Sequence, residues 1–286
     1  VMAPQATTPT GTTVAAFFDV DNTVIRGASA YHIARGLQRH GFFRKRDVFH
    51  FAWETAKYSM LGESKEQIDD VRDEALSIIK GWSVAEMIAI GEEVYDEILA
   101  LRIFPGTRAL IDSHLSQGHE VWFVTATPAE VGTIIASRLG VTGALGTVAE
   151  NVDGLYTGRL VGPMLHDAAK ADAVEALAAE RGLDLSASFA YGDSIHDGPM
   201  LSAVGNPCAI NPDGPLRRLA VSRGWEIEDF RGRRGDGRRG IVRSTGAGAV
   251  WTAMAVARGA RATARAAVGL SRRDPDPVAD ERAHGL

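Results

Sequence analysis

Two aspartates, Asp19 and Asp21, stand two positions apart directly after a short apolar run, Val14 to Phe18. On an extended chain, side chains two apart share a side, so two carboxylates there repel unless a cation lies between them. Two further polar groups recur after apolar runs: Thr125 follows Val121 to Val124, and Asp193 and Asp197 follow Ser188 to Tyr191. Hard oxygen donors from Asp19, a backbone carbonyl and Asp193 suit Mg²⁺, which favours few carboxylates together with substrate phosphate. Taken alone, Asp19 and Asp21 also fit polar turn residues or a helix cap.

The elements that would position these groups alternate in type. Val14 to Phe18, Glu120 to Val124, Ser188 to Tyr191 and Pro207 to Ile210 read as short strands, the last being the final one expected. Thr107 to Ser116, 129–139 and Ala168 to Arg181 read as helices. Thr147 to Glu150 and Arg159 to Val161 read as a hairpin about Asp153-Gly154. Such alternation predicts an α/β fold, a Rossmann-like doubly wound parallel sheet with ligands at the C-terminal strand ends. Segments near 29–39, 47–60, 64–79 and 84–101 carry helical periodicity with almost no strand signal, punctuated by Gly62 and Gly81. They predict an all-helical insertion after the first strand.

At these residues the chain resembles the haloacid dehalogenase-like (HAD) phosphohydrolases, specifically subfamily IB, the phosphoserine-phosphatase-like branch with a helical cap. Four elements match in order over about residues 14–230: Asp19-Val-Asp21-Asn-Thr23, Thr125, Lys170 in Ala168-Ala-Lys-Ala-Asp, and Gly192-Asp193-Ser-Ile-His-Asp197. The resemblance implies that Asp19 attacks phosphorus to form an aspartyl-phosphate and that Asp21 is general acid and then base. It implies phosphate binding by Thr125, Ala126, Lys170 and His196, and a Mg²⁺ site from Asp19, Asp21, Asp193 and Asp197. Asp197 would hold a metal-bound water or orient Lys170. His166 reads as an ordinary surface histidine.

The implied enzyme is a Mg²⁺-dependent phosphomonoesterase acting on a small phosphorylated metabolite. One departure bears on the substrate. Phosphoserine phosphatases typically carry a Glu nine residues after the nucleophile; here that position is Ala28, beside the cationic Arg26. Arg26, Ala28, Ser29, Tyr31 and His32 become candidates for substrate specificity, or simply the start of the first cap helix. Other readings are a phosphatase of glycerol-phosphate or lysophospholipid head groups at a membrane surface, and a non-catalytic phosphate-binding regulatory protein.

Composition bounds the rest. The 286 residues are 45% hydrophobic and 23% charged, as in ordinary globular proteins. The one cysteine, Cys208, excludes an internal disulfide and reads as a buried structural thiol in a reducing, cytoplasmic compartment. Neither a signal peptide nor a membrane span is expected. The net charge of −5 divides into an acidic body and a 231–286 segment with twelve Arg and five acids. That division does not suggest nucleic-acid binding.

The expected organisation is a disordered leader (1–13), a catalytic core (14–26 and 104–230), a helical cap (27–103), a basic linker (231–246), an Ala/Arg-rich helix (247–270) and a disordered tail (271–286). At helical spacing Arg258, Arg261, Arg265 and, just past that helix, Arg272 share one stripe. It is expected to dock on the protein or a partner, with peripheral contact to an anionic membrane as the other reading.

Overall fold

The computed structural model describes residues 13–41, 76 and 79–231. Its centre is a six-stranded sheet, every adjacent pair parallel: β1 (Ala15–Asp19), β2 (Glu120–Pro128), β3 (Gly143–Thr147), β6 (Phe189–Gly192), β7 (Asn206–Ile210) and β8 (Glu226–Glu228), in the order β3-β2-β1-β6-β7-β8. A separate antiparallel hairpin joins β4 (Ala149–Val152) to β5 (Leu155–Leu160). The helices are α1 (Ser29–Arg39), α2 (Val84–Val94), α3 (Pro105–Ser116), α4 (Ala129–Leu139), α5 (Ala168–Arg181), α6 (Gly198–Ser202) and α7 (Gly214–Arg223).

β1 lies between β2 and β6, and all five of its residues are buried. Successive side chains on a strand point to opposite faces, so Phe17 and Phe18 build different cores. Phe18 joins Ile33, Ile90, Ile111, Phe123 and Ile135 on one face; Phe17 joins Val174, Leu177, Leu201 and Leu216 on the other. This is a doubly wound α/β sheet. The chain winds outward one way through β2 and β3 and the other way through β6, β7 and β8, so its direction reverses between β1 and β6. Such a switch point opens a crevice at the carboxyl ends of the strands. Asp19 ends β1, and Asp193 follows β6.

The helical segment after β1 is pressed onto this sheet. A Cβ on Gly36 of α1 would come within 2.4 Å of Val94 Cγ2, and one on Gly91 of α2 within 2.7 Å of Ile134 Cδ1. The absent side chains let α1, α2 and α4 pack closely, and their apolar residues share one core with the sheet.

Several elements differ from expectation. Thr147 ends β3 of the main sheet instead of starting the hairpin; the Gly-rich run Gly143-Ala-Leu-Gly-Thr147 carries too little alternation to announce a strand. The hairpin turn does fall at Asp153 and Gly154, both with φ above zero (52° and 77°), as a two-residue turn between twisted strands needs. That hairpin pairs with the helical block: Tyr156 N donates to Trp82 O at 2.9 Å, and Gly81 N to Tyr156 O at 2.7 Å. β2 runs past Val124 to Pro128 with a register shift. β7 is followed by β8, whose three residues are too short to show a period. The helix expected over 84–101 becomes a π-helix at Tyr95–Leu99 and a 3₁₀ turn at Ala100–Arg102. The expected helices at 47–60 and most of 64–79, with Gly62, lie outside the described residues, as do the leader before Thr13 and everything after Arg231. Among the described residues no helix is long and apolar enough to cross a membrane.

Candidate active site

Asp19 is carried by the buried β1, 6% exposed, and its Oδ1 accepts a hydrogen bond from Lys170 Nζ at 2.5 Å. Lys170 reaches it from the first turn of α5, just after Asp167, whose backbone adopts φ 54°. The same ammonium donates to Asp197 Oδ1 at 2.7 Å. Burial works against this charge, but the Asp19 and Asp197 carboxylates more than offset it and raise the lysine pKa.

Asp197 sits in the 3₁₀ turn Ile195–Asp197, and its Oδ2 accepts from the backbone N–H of Asp193 and of Ser194, both at 3.1 Å. A side chain at Gly192 would collide with it, since a Cβ there lies 2.6 Å from Asp197 Cβ. Asp193 is fixed through its backbone, whose carbonyl accepts from Asp213 N at 2.8 Å.

Carboxylate oxygens of Asp19, Asp193 and Asp197 lie within 4.8 Å of one another. Burial pushes Asp19 up to about 7, helped by Asp197 and Asp21 and opposed by Lys170. Burial, then Asp19 and Asp197, likewise raises Asp193 well above 3.8. One lysine therefore faces an excess of buried negative charge. The donor set, hard carboxylate oxygens short of positive charge, fits a divalent cation such as Mg²⁺. The Asp21 side chain stands outside that trio. Its Oδ1 accepts from Ser29 N at 2.8 Å, and burial raises its pKa.

Thr125, expected to hold phosphate, is 1% exposed and donates to Thr127 Oγ1 at 3.0 Å. Ala126 follows it in β2, its carbonyl accepting from Thr147 Oγ1 at 2.8 Å. His196 is exposed, and its ring lies 4.5 Å from that of His166. His166 is therefore also at the rim, four residues before Lys170. The specificity candidates divide. Arg26 is exposed with its guanidinium 5.1 Å from the Phe104 ring centre, and Ala28 caps α1. Ser29 is fully buried, and its hydroxyl meets Thr127 Oγ1 at 2.9 Å. Tyr31 sets its ring edge-on to His32 at 5.2 Å. His32 is 6% exposed, its Nδ1 without a hydrogen bond, and burial with Arg102 and Arg35 lowers its pKa.

Sequence reasoning missed three supports. Thr127 bridges Thr125 and Ser29. Asn211 Nδ2 donates to Asn22 O at 2.8 Å, holding the loop after β1, while Asn211 Oδ1 accepts from Phe230 N. Asp213 caps α7 and holds the Asp193 carbonyl. Only the polar position after β7 hinted at Asn211.

A profile of the haloacid dehalogenase-like hydrolases matches residues 16–202. The chain belongs to that family. This hydrolase is 53% identical over 250 residues to "Phosphoserine phosphatase SerB1" of Mycobacterium tuberculosis, covering 86% of this chain and 80% of the relative. It is 35% identical over 227 residues to "Probable phosphatase Rv3661" of the same organism, covering 79% and 78%. Among solved structures, a protein of unknown function from Bordetella pertussis Tohama I superposes with a TM-score of 0.65 at 31% identity, covering 77% of this chain and 100% of that one. The hydrolase is thus a HAD-family enzyme of the phosphatase kind, similar to phosphoserine phosphatases.

Proposed function

We propose that this hydrolase is a Mg²⁺-dependent phosphomonoesterase that turns over a small phosphorylated metabolite through an aspartyl-phosphate on Asp19. The observation that carries this reading is the Lys170 ammonium bridging Asp19 and Asp197 beside Asp193, at the sheet's switch point.

Asp19, Asp193 and the carbonyl of Asp21 would hold the cation, with Asp197 near it but committed to Lys170 and two backbone amides. When bound, Mg²⁺ would supply positive charge beside the phosphoryl oxygens. The chain's own groups do the rest. Lys170 pins the Asp19 carboxylate and neutralises charge as that oxygen attacks phosphorus. Thr125 and the N–H of Ala126 grip phosphoryl oxygens, with His196 at the rim. Asp21, held by Ser29 N, would give a proton to the leaving alkoxide and then take one from the attacking water, and burial shifts its pKa upward, in the direction that suits an acid. Segment 27–103 serves as the cap. A cytoplasmic setting is in keeping with the lone thiol, Cys208, being buried and free.

The relative's name favours phosphoserine as the substrate. Ala28 favours an ester without an ammonium, such as a glycerol-phosphate head group, since it supplies no carboxylate, while Arg102 and Arg35 act on His32 nearby. Purified protein is assayed on p-nitrophenyl phosphate with Mg²⁺ and with chelator, then on a phosphometabolite panel including phosphoserine. The expected result is Mg²⁺-dependent turnover that Asp19→Asn abolishes. Activity indifferent to both refutes the mechanism.

A further inference from the structure

We propose that Thr127 is a positioning residue that ties the phosphate grip of Thr125 to the proton donor Asp21 through Ser29. The inference rests on the phosphatase reading above, in which Asp21 protonates the leaving group.

Thr125, Thr127 and Ser29 are 1%, 3% and 0% exposed, so their hydroxyls are satisfied by one another instead of by bulk water. Thr125 Oγ1 donates to Thr127 Oγ1 at 3.0 Å and accepts from Thr127 N at 3.1 Å. Thr127 Oγ1 meets Ser29 Oγ at 2.9 Å, across 98 residues of sequence. Ser29 in turn gives its backbone N–H to Asp21 Oδ1 at 2.8 Å, and its hydroxyl is also hydrogen-bonded to that carboxyl. The chain of contacts therefore runs from the phosphate-gripping strand, through the N-terminus of α1, to the acid. Asp19 lies outside it, held by Lys170.

A hydroxyl has one proton to give. Without phosphate, that of Thr125 is committed to Thr127. An anionic phosphoryl oxygen is the stronger acceptor and draws the Thr125 O–H to itself. Thr127 Oγ1 then loses that donor, and its remaining hydroxyl partner is Ser29, whose own O–H is shared with Asp21. Phosphate binding thereby changes how the Ser29 hydroxyl is divided between Thr127 and Asp21, beside the amide that aims Asp21. The nucleophile is held separately by Lys170, so the link bears on leaving-group protonation beyond any common effect on the phosphate grip.

Leaving-group dependence tests it. A p-nitrophenolate leaves with little protonation, whereas an alkoxide needs the acid. The values of kcat/KM are measured for p-nitrophenyl phosphate and for an alkyl phosphomonoester that the wild type hydrolyses, in Thr127→Val, Thr127→Ser, Ser29→Ala and Asp21→Asn. Thr127→Val is expected to lose ~10-fold to ~100-fold more on the alkyl ester than on the aryl ester, a fraction of the general-acid effect. Thr127→Ser should restore most of that difference. Ser29→Ala removes the hydroxyl that joins Thr127 to Asp21 and should show at least the same selectivity if Thr127→Val does not fold. Equal losses on both esters, or a serine variant no better than valine, overturn the proposal while leaving the phosphatase intact. A wild type active on neither ester, or an Asp21→Asn variant with an unchanged alkyl-to-aryl ratio, overturns both.

Discussion

Lys170 shows how one side chain takes its meaning from two others. A lysine in an alanine-rich helix is ordinarily solvated, yet here it is 4% exposed between Asp19 and Asp197. Lys170→Met is expected to lower kcat by ~10²–10³-fold, the scale for removing one preorganised charge at a reacting centre. Steady-state kinetics at saturating Mg²⁺ check this. Asp19, Asp21, Lys170 and Asp193 were legible because each follows, or lies in, a recognisable local pattern at a fixed place. Thr127 was not, since beyond its neighbour Thr125 the hydroxyl's partner is Ser29, which lies 98 residues away in sequence. Ser29 was legible only as a candidate for touching substrate. Its burial turns it instead toward Asp21 and Thr127.

Helices α1, α2 and α4 depend on missing side chains. Gly36→Ala would gain helix propensity of about 1 kcal/mol but force Val94 aside, and overpacking costs about 1–3 kcal/mol. The net expectation is a lower denaturant midpoint with an unchanged m-value. The helix α3 carries the clearest pH dependence. His114, 5% exposed, contacts Tyr191 OH at 2.8 Å and His119 Nδ1 at 2.9 Å, and burial, then His119, pushes its pKa down to about 4. The unfolded chain binds this proton below about 6.5 and the folded one only near 4, so stability is lost as pH falls through that window. Between pH 7 and pH 5 the wild type should lose about 2 kcal/mol more than His114→Gln, measured by urea unfolding of both at each pH. Helices α1, α4 and α5 were readable from periodicity to within a residue. β3 and β8 were not: one is glycine-rich and the other three residues long, so pairing with a neighbour makes them strands.

Across the whole molecule, a cation held by the acidic cluster would link metal binding to folding. A cation bound only by the native state stabilises it by RT ln(1 + [L]/Kd), about 2.7 kcal/mol at a hundredfold excess over Kd. Adding Mg²⁺ should therefore raise Tm by about 5 °C, given roughly 2 °C per kcal/mol for a chain of this size. Differential scanning fluorimetry with Mg²⁺ and with chelator reads the shift, and Asp193→Asn should remove most of it. The expected basic helix with Arg258, Arg261, Arg265 and Arg272 lies outside the described residues.

Asp19 and Asp21 after an apolar run, Thr125, Lys170 and Asp193 in order, and strand alternating with helix were enough to reach the doubly wound sheet and the reaction class. Those features are local: two-residue and 3.6-residue periods, and polar groups at the ends of apolar runs. Tertiary structure decided that Asp197 spends its oxygens on Lys170 and two amides, that Asp21 stands apart from the acidic trio, and that Ser29 and Thr127 meet. Each of those outcomes depends on a distance between residues far apart in sequence, and a buried polar group acquires its role only when folding removes the water that would otherwise satisfy it.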